Sequence, residues 1–152
     1  MRVLIGTDGS DDAVAAATQA LALLAPPDAV TVVCVVDPPP SLTAGMESGF
    51  SGGIARPEEI DADWAAVEDE AAAALQRTVD ALGTAAQVDT VVQVGSAGPE
   101  LCRLARDLSV DVVAVGSRGH GAIRRALLGS VSTHVLSNAP CPVIVVRAGT
   151  ES

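Results

Sequence analysis

The arrangement in this chain with the most capacity for chemistry is Gly116-Ser117-Arg118-Gly119, then nine residues, then Gly129-Ser130. It follows an apolar run, Val110 to Val115, broken only by Asp111, and it leads into an apolar-periodic stretch from Val131 to Asn138. A strand, a glycine loop and a helix start, in that order, form a cradle for phosphate. Glycine lets the backbone approach an anion closely and opens conformations closed to other residues. The first N–H groups of a helix have no intrahelical acceptor and carry partial positive charge, so phosphate oxygens can take them. Ser130 can cap that helix or donate its hydroxyl to the same phosphate. One pair of glycines would fit an ordinary strand-to-helix turn. Three glycines and a serine after a buried-type strand favour the cradle.

The charges narrow the chemistry. All nine basic residues are arginine, and the formal net charge is -10. A Walker-type phosphate loop needs a lysine, and so does Schiff-base catalysis, so both are excluded. Phosphate here must be held by backbone N–H groups and arginine. Arg118, Arg124 and Arg125 form the one positive cluster beside the proposed cradle, and guanidinium forks suit phosphate oxygens. One of the last two is expected on a solvated helix face. His120, beside Gly119, could reach a terminal phosphate but reads better as an exposed loop histidine, and His134 has no assigned role. The acidic balance argues against a general nucleic-acid or anionic-membrane surface.

The elements that must position the cradle alternate along the chain. Arg2 to Thr7 reads as a buried strand, and Asp8-Gly9-Ser10 as a turn with Ser10 capping a helix. Val14, Ala17, Leu21 and Leu24 recur at helical spacing until Pro26-Pro27. Val30 to Val36 is a second strand, apolar on both faces. Asp37 to Ala55 is rich in proline, glycine and serine and suits a mobile surface loop, spanning 38–56 at its widest. Pro57 opens a long helix whose stripe is Ile60, Trp64, Val67, Ala71, Leu75 and Leu82, ending at Gly83. Val88 to Val94, Val110 to Val115 and Val143 to Val146 are the remaining strands, and Gly98-Pro99-Glu100 starts the helix between the first two. This alternation predicts an α/β fold, a parallel sheet with helices on both faces. Ligands in such sheets lie beyond the carboxyl ends of the strands, which makes Asp8 and Gly116 the natural walls of a crevice.

Composition sets the rest. With 152 residues the chain is one domain with a genuine core. It is 49% hydrophobic but only 1% aromatic, so that core is built of Ala, Val, Leu and Ile. Cys34 and Cys102 read as small core residues, and all three cysteines, Cys141 included, as reduced thiols of a cytoplasmic protein. No metal-ligand spacing occurs. Val3-Leu4-Ile5 is too short for a secretion signal, and no apolar run reaches membrane-spanning length.

Together these residues resemble the universal stress protein family, in its ATP-binding branch. The family's phosphate signature is G, two residues, G, nine residues, G, then S or T, matched at Gly116, Gly119, Gly129 and Ser130. Ile5-Gly6-Thr7-Asp8-Gly9-Ser10, Cys34-Val35-Val36-Asp37 and Ala139-Pro140-Cys141-Pro142-Val143-Ile144-Val145-Val146 resemble the family's first, second and closing strands. The resemblance implies a five-stranded, Rossmann-like sheet of order 3-2-1-4-5. It implies adenine near Thr7, Asp8 and Val35, ribose against Val115, Gly116 and Gly95, and phosphates at Gly119, Gly129, Ser130 and Val131. Asp8 would contact the adenosine or a phosphate-bound Mg²⁺, its plain alternative being a turn aspartate that caps the first helix. The function implied is a nucleotide-dependent stress-response module holding ATP, with at most slow hydrolysis, since no general base and no lysine are evident. Cyclic AMP or AMP as the ligand, or an interaction dimer with an empty site, are the alternatives. An enzyme of the related adenine-nucleotide α-hydrolase group is disfavoured, because Asp8-Gly9-Ser10 is too short for the loop those enzymes carry. In the family's order Val143–Val146 is an edge strand, so a homodimer through it is expected.

Overall fold

The computed structural model describes residues 1–42, 56–118 and 128–147. Five parallel strands, β1 (Arg2–Gly6), β2 (Ala29–Val36), β3 (Gln87–Val94), β4 (Val112–Gly116) and β5 (Val143–Val146), form one sheet of order β3-β2-β1-β4-β5. The helices between them are α1 (Asp11–Leu23), α2 (Pro57–Leu82), α3 (Ala97–Asp107) and α4 (Ser130–Asn138). Of the segment 38–56, residues 43–55 lie outside the described residues, as do Gly119, His120, Arg124 and Arg125.

Two apolar clusters sandwich the sheet. On one face Val3, Ile5, Val30, Val32, Val112 and Ala114 pack with α1 and the second half of α2. On the other, Leu4, Val33, Val113 and Val115 pack with Leu101, Cys102, Leu104 and Ala105 of α3 and Val135 of α4. Each fully buried aliphatic side chain contributes roughly 1.5–3 kcal/mol, so a core without aromatics suffices. Cys34 and Cys102 are buried within it.

Three expectations are corrected. The buried line of α1 is Ala13, Ala16, Ala17 and Ala20, and Val14, Leu21 and Leu24 only flank it. The small side chains let the helix lie close to the sheet, so the bulkier ones are displaced to its sides. In α2, Ile60, Trp64 and Val67 are partly buried, and the packed stripe is Ala71, Leu75, Thr78 and Leu82. In β4 the strand runs two residues later at its start, because Asp111 is occupied in exchanging hydrogen bonds with the backbone of Arg2. Ser10 does cap α1, accepting from Ala13 N at 3.2 Å, and Gly83, at φ 56°, ends α2 in the left-handed conformation that suits glycine.

Candidate nucleotide site

The chain turns to one side of β1 through β2 and β3, and to the other through β4 and β5. The switch point therefore lies between the carboxyl ends of β1 and β4, where such sheets open a crevice. Both ends carry residues predicted to bind ligand.

On the β1 side, Thr7 continues the ladder by donating its N–H to Val33 O at 2.9 Å. Asp8 accepts at Oδ1 from both the N–H (3.0 Å) and the hydroxyl (2.6 Å) of Ser10. It thus holds Ser10, the N-cap residue of α1. Gly9, at φ 74°, is pressed against α2: a Cβ there would lie 2.6 Å from Ala74 Cβ. Only glycine satisfies both the conformation and the approach.

On the β4 side, Ser117 is buried and joins both arms of the loop. Its N–H donates to Val146 O at 2.7 Å, and its carbonyl accepts from Gly129 N at 2.7 Å. The buried Ser132 hydroxyl lies 3.0 Å from Gly129 O and 3.3 Å from Ser117 O, fastening the start of α4 to the end of β4. Arg118 follows, half-buried. Gly129, not Ser130, is the N-cap of α4, so the capping role considered for Ser130 falls away: it is the first helical residue and is exposed. Gly129 has φ -78° and ψ 169°, an ordinary extended conformation. What favours glycine here is space, because a Cβ would crowd Ser117 O at 3.3 Å.

The predicted valines converge. Val115 is buried in the cluster on the α3–α4 face, and Val35 and Val131 pack against it. Gly95, at φ 140°, ties to β2 through its N–H to Val36 O at 2.9 Å. Next to Val131 is a cleft of about 90 Å³ lined by Ser96, Ala97, Gly98, Pro99, Ser130, Val131 and His134. The N-termini of α3 and α4 both open onto it. Neither Ser96 nor Gly129 supplies a side-chain cap, whereas Ser10 caps α1, and Glu59 reaches back to the N–H of Arg56 at the start of α2. Uncapped helix starts leave donors for an anion.

Sequence reading missed three members of this arrangement. Gly98 admits the α4 helix, since a Cβ would lie 2.8 Å from the His134 side chain. Ser132 and Thr78 are buried polar residues whose hydroxyls fix backbone near the crevice. A threonine within the 71-75-78-82 stripe was the available signal for Thr78. All three cysteine thiols are raised above their ordinary pKa, by burial first in each case, with Asp8 and Glu70 adding to the effect at Cys34. This makes them poor nucleophiles.

Residues 1–147 match the model of the universal stress protein family. Universal stress protein Rv2624c of Mycobacterium tuberculosis is 30% identical over 150 residues, 96% of this chain and 48% of that protein. The chain thus spans about half the length of that relative. Universal stress protein MJ0531 of Methanocaldococcus jannaschii is 29% identical over 148 residues, covering 96% of this chain and 81% of the relative. Among solved structures, MJ0577 of the same archaeon superposes with a TM-score of 0.77 at 24% identity, over 99% of this chain and 97% of the other. With the sheet order and a family match across almost its whole length, this chain belongs to the universal stress protein family.

Proposed function

We propose that the protein is an adenine-nucleotide-binding regulatory module that holds ATP, with Mg²⁺ on the phosphates, between the ends of β1 and β4. The observation that carries this reading is the start of α4. Gly129 N lies 2.7 Å from Ser117 O, a Cβ on Gly129 would crowd that carbonyl at 3.3 Å, and the helix beyond it has no side-chain cap. Ser130 and Val131 then offer backbone N–H groups to phosphate beside Gly129, whose own N–H is given to Ser117 O, with Arg118 on the facing arm; Gly119, the remaining candidate, lies outside the described residues. Val115, Gly116 and Gly95 border the ribose, and Thr7, Asp8 and Val35 the adenine. Asp8 contacts the adenosine or the Mg²⁺. Among the described residues no group of three or more His, Cys, Asp or Glu side chains is gathered to hold a metal, so the ion would be held mainly by phosphate oxygens. With no lysine in the chain to stabilise a transferring phosphate, hydrolysis is slow at most.

A second reading keeps the site and changes the ligand. A universal stress protein in complex with cAMP superposes with a TM-score of 0.57 at 24% identity. An Arabidopsis thaliana family member with AMP bound superposes at 0.64 and 16% identity. Both support adenine as the shared group and leave the phosphate count to experiment. In the cell the module acts as a cytoplasmic stress-response homodimer paired through β5. No helix among the described residues is long and apolar enough to cross a membrane.

Mass spectrometry of the small molecules released on denaturing the purified protein tests the reading. Recovery of an adenine nucleotide supports it and identifies the ligand. If none is recovered and calorimetric titration with ATP, AMP and cyclic AMP gives no heat, the proposal is wrong.

A further inference from the structure

The turn after β1 is held by α2 through contacts that the glycine signature does not require. Thr7 Oγ1 lies 2.9 Å from Thr78 Oγ1, Gly9 N lies 3.1 Å from Thr7 Oγ1, and Thr78 Oγ1 lies 2.9 Å from Ala74 O. The proton directions are fixed by the ends of this chain. Gly9 N–H can only donate, a carbonyl can only accept, and each hydroxyl has one proton. Hence Gly9 N–H donates to Thr7, Thr7 O–H to Thr78, and Thr78 O–H to Ala74 O. Such a run of bonds is mutually reinforcing. Around it, Gly9 abuts Ala74, and Arg77 donates to Gly9 O at 2.9 Å and pairs with Asp11. Thr78 is 0% exposed in an otherwise apolar stripe. Valine would fill the same volume without the desolvation of a hydroxyl, so the polar pair is best explained by what it fixes: the backbone of Thr7 and Gly9, on either side of Asp8.

We propose that Thr78 is a positioning residue for the nucleoside end of the crevice. Through Thr7 it sets where β1 ends and so where Asp8 meets the adenosine moiety, which makes α2 part of ligand recognition although Thr78 touches no ligand. Thr7 acts in this scheme as a support, its proton being committed to Thr78. The proposal rests on the adenine-nucleotide reading above.

The test is calorimetric titration of wild type, Thr78→Val and Thr78→Ser with ATP and, separately, adenosine, with melting temperatures recorded for each. Losing one buried hydrogen bond from the support should weaken both ligands by the same factor, about fivefold. Thr78→Ser, which keeps the hydroxyl, should restore both. Unchanged affinity in Thr78→Val, loss for ATP alone, or a serine variant as weak as the valine would each overturn the positioning role. A wild type that binds neither ligand would instead refute the nucleotide reading and this role with it. If Thr78→Val does not fold, Thr78→Ala removes the same hydroxyl, leaves Thr7 in place and is judged by the same outcomes.

Discussion

Replacing Gly9 by alanine isolates the contact between the β1 turn and α2. At φ 74° a residue with a Cβ suffers left-handed strain of about 1–2 kcal/mol. The new Cβ would also lie 2.6 Å from Ala74 Cβ and 2.7 Å from its Cα, where apolar carbons settle at roughly 3.5–4.0 Å. Turn and helix must therefore part by about 1 Å, an overpacking cost of about 1–3 kcal/mol. That separation stretches the 2.9 Å bonds of Thr7 to Thr78 and of Arg77 to Gly9 O beyond useful length, removing about 1 kcal/mol more for the buried one. The sum is about 3–6 kcal/mol, a large part of the roughly 5–15 kcal/mol that holds a domain folded.

Gly83→Ala is the matched control. Gly83 is also left-handed, at φ 56°, but a Cβ there would meet nothing within 4 Å, so it suffers the backbone term alone. Urea unfolding followed by circular dichroism measures both, with unchanged slopes certifying that only stability moved. Gly9→Ala should lose at least about 2 kcal/mol more than Gly83→Ala, the smaller estimate of overpacking plus the lost bond. Equal losses at the two sites would refute the tight seating of the turn on α2.

Gly129→Val should leave the fold intact and weaken ATP by about 10²–10⁴-fold in calorimetric titration, the equivalent of two charge-assisted hydrogen bonds; unchanged affinity would remove the phosphates from Gly129. Val145→Pro removes a ladder donor from β5, an edge strand whose Val143, Ile144 and Val145 are all partly buried, and should turn a sedimenting dimer into monomers; a wild type that is monomeric at micromolar concentration would sink the assembly. Because burial raises all three thiols, the folded state retains their protons longer than the unfolded chain. Their stabilising effect is then complete below the ordinary thiol range and lost as pH climbs through the raised values. Thiol reagents at neutral pH should accordingly react slowly until denaturant is added, and prompt labelling of all three would contradict the burial.

The sequence made some of this legible and hid the rest for physical reasons. Strand and helix alternation, the Ser10 cap and the Gly83 terminus are local signals, and each appears where local chemistry put it. Strand order depends on pairings between distant segments such as Ile5 with Val32 and Ala114, so only the family resemblance supplied it. The α1 stripe was misread because hydropathy favours Val14 and Leu21, while the close approach of helix to sheet selects alanine. For Gly129 the sequence allowed two causes, a conformation reserved for glycine or a lack of space; its backbone is ordinary, and the constraint the structure shows is the carbonyl of Ser117. Thr78 stayed hidden because a threonine in an apolar stripe is nearly the shape of valine, and its value lies in a partner 71 positions away.

The two walls of the crevice are built on opposite principles, and that contrast bears on what fits between them. On the β1 wall Ser10 and Asp8 satisfy each other, the hydroxyl relay ends on a carbonyl, and Arg77 covers Gly9 O. The Gly9 and Ser10 N–H groups and the hydroxyls of Thr7, Ser10 and Thr78 are paired within the protein, as suits a surface that receives an uncharged ring. On the β4 wall two helices start without side-chain caps, although a serine or aspartate cap would stabilise each by about 1 kcal/mol. Ser96 already occupies one cap position without using its side chain there, and Gly129 occupies the other. Val35, Val115 and Val131 share the apolar cluster on the α3–α4 face. A purely apolar ligand would leave the helix starts unanswered, and an inorganic anion would make no use of the internally paired β1 wall. A molecule with a flat uncharged end and an anionic end answers both walls at once, which is the physical reason to favour a nucleotide over either of its halves.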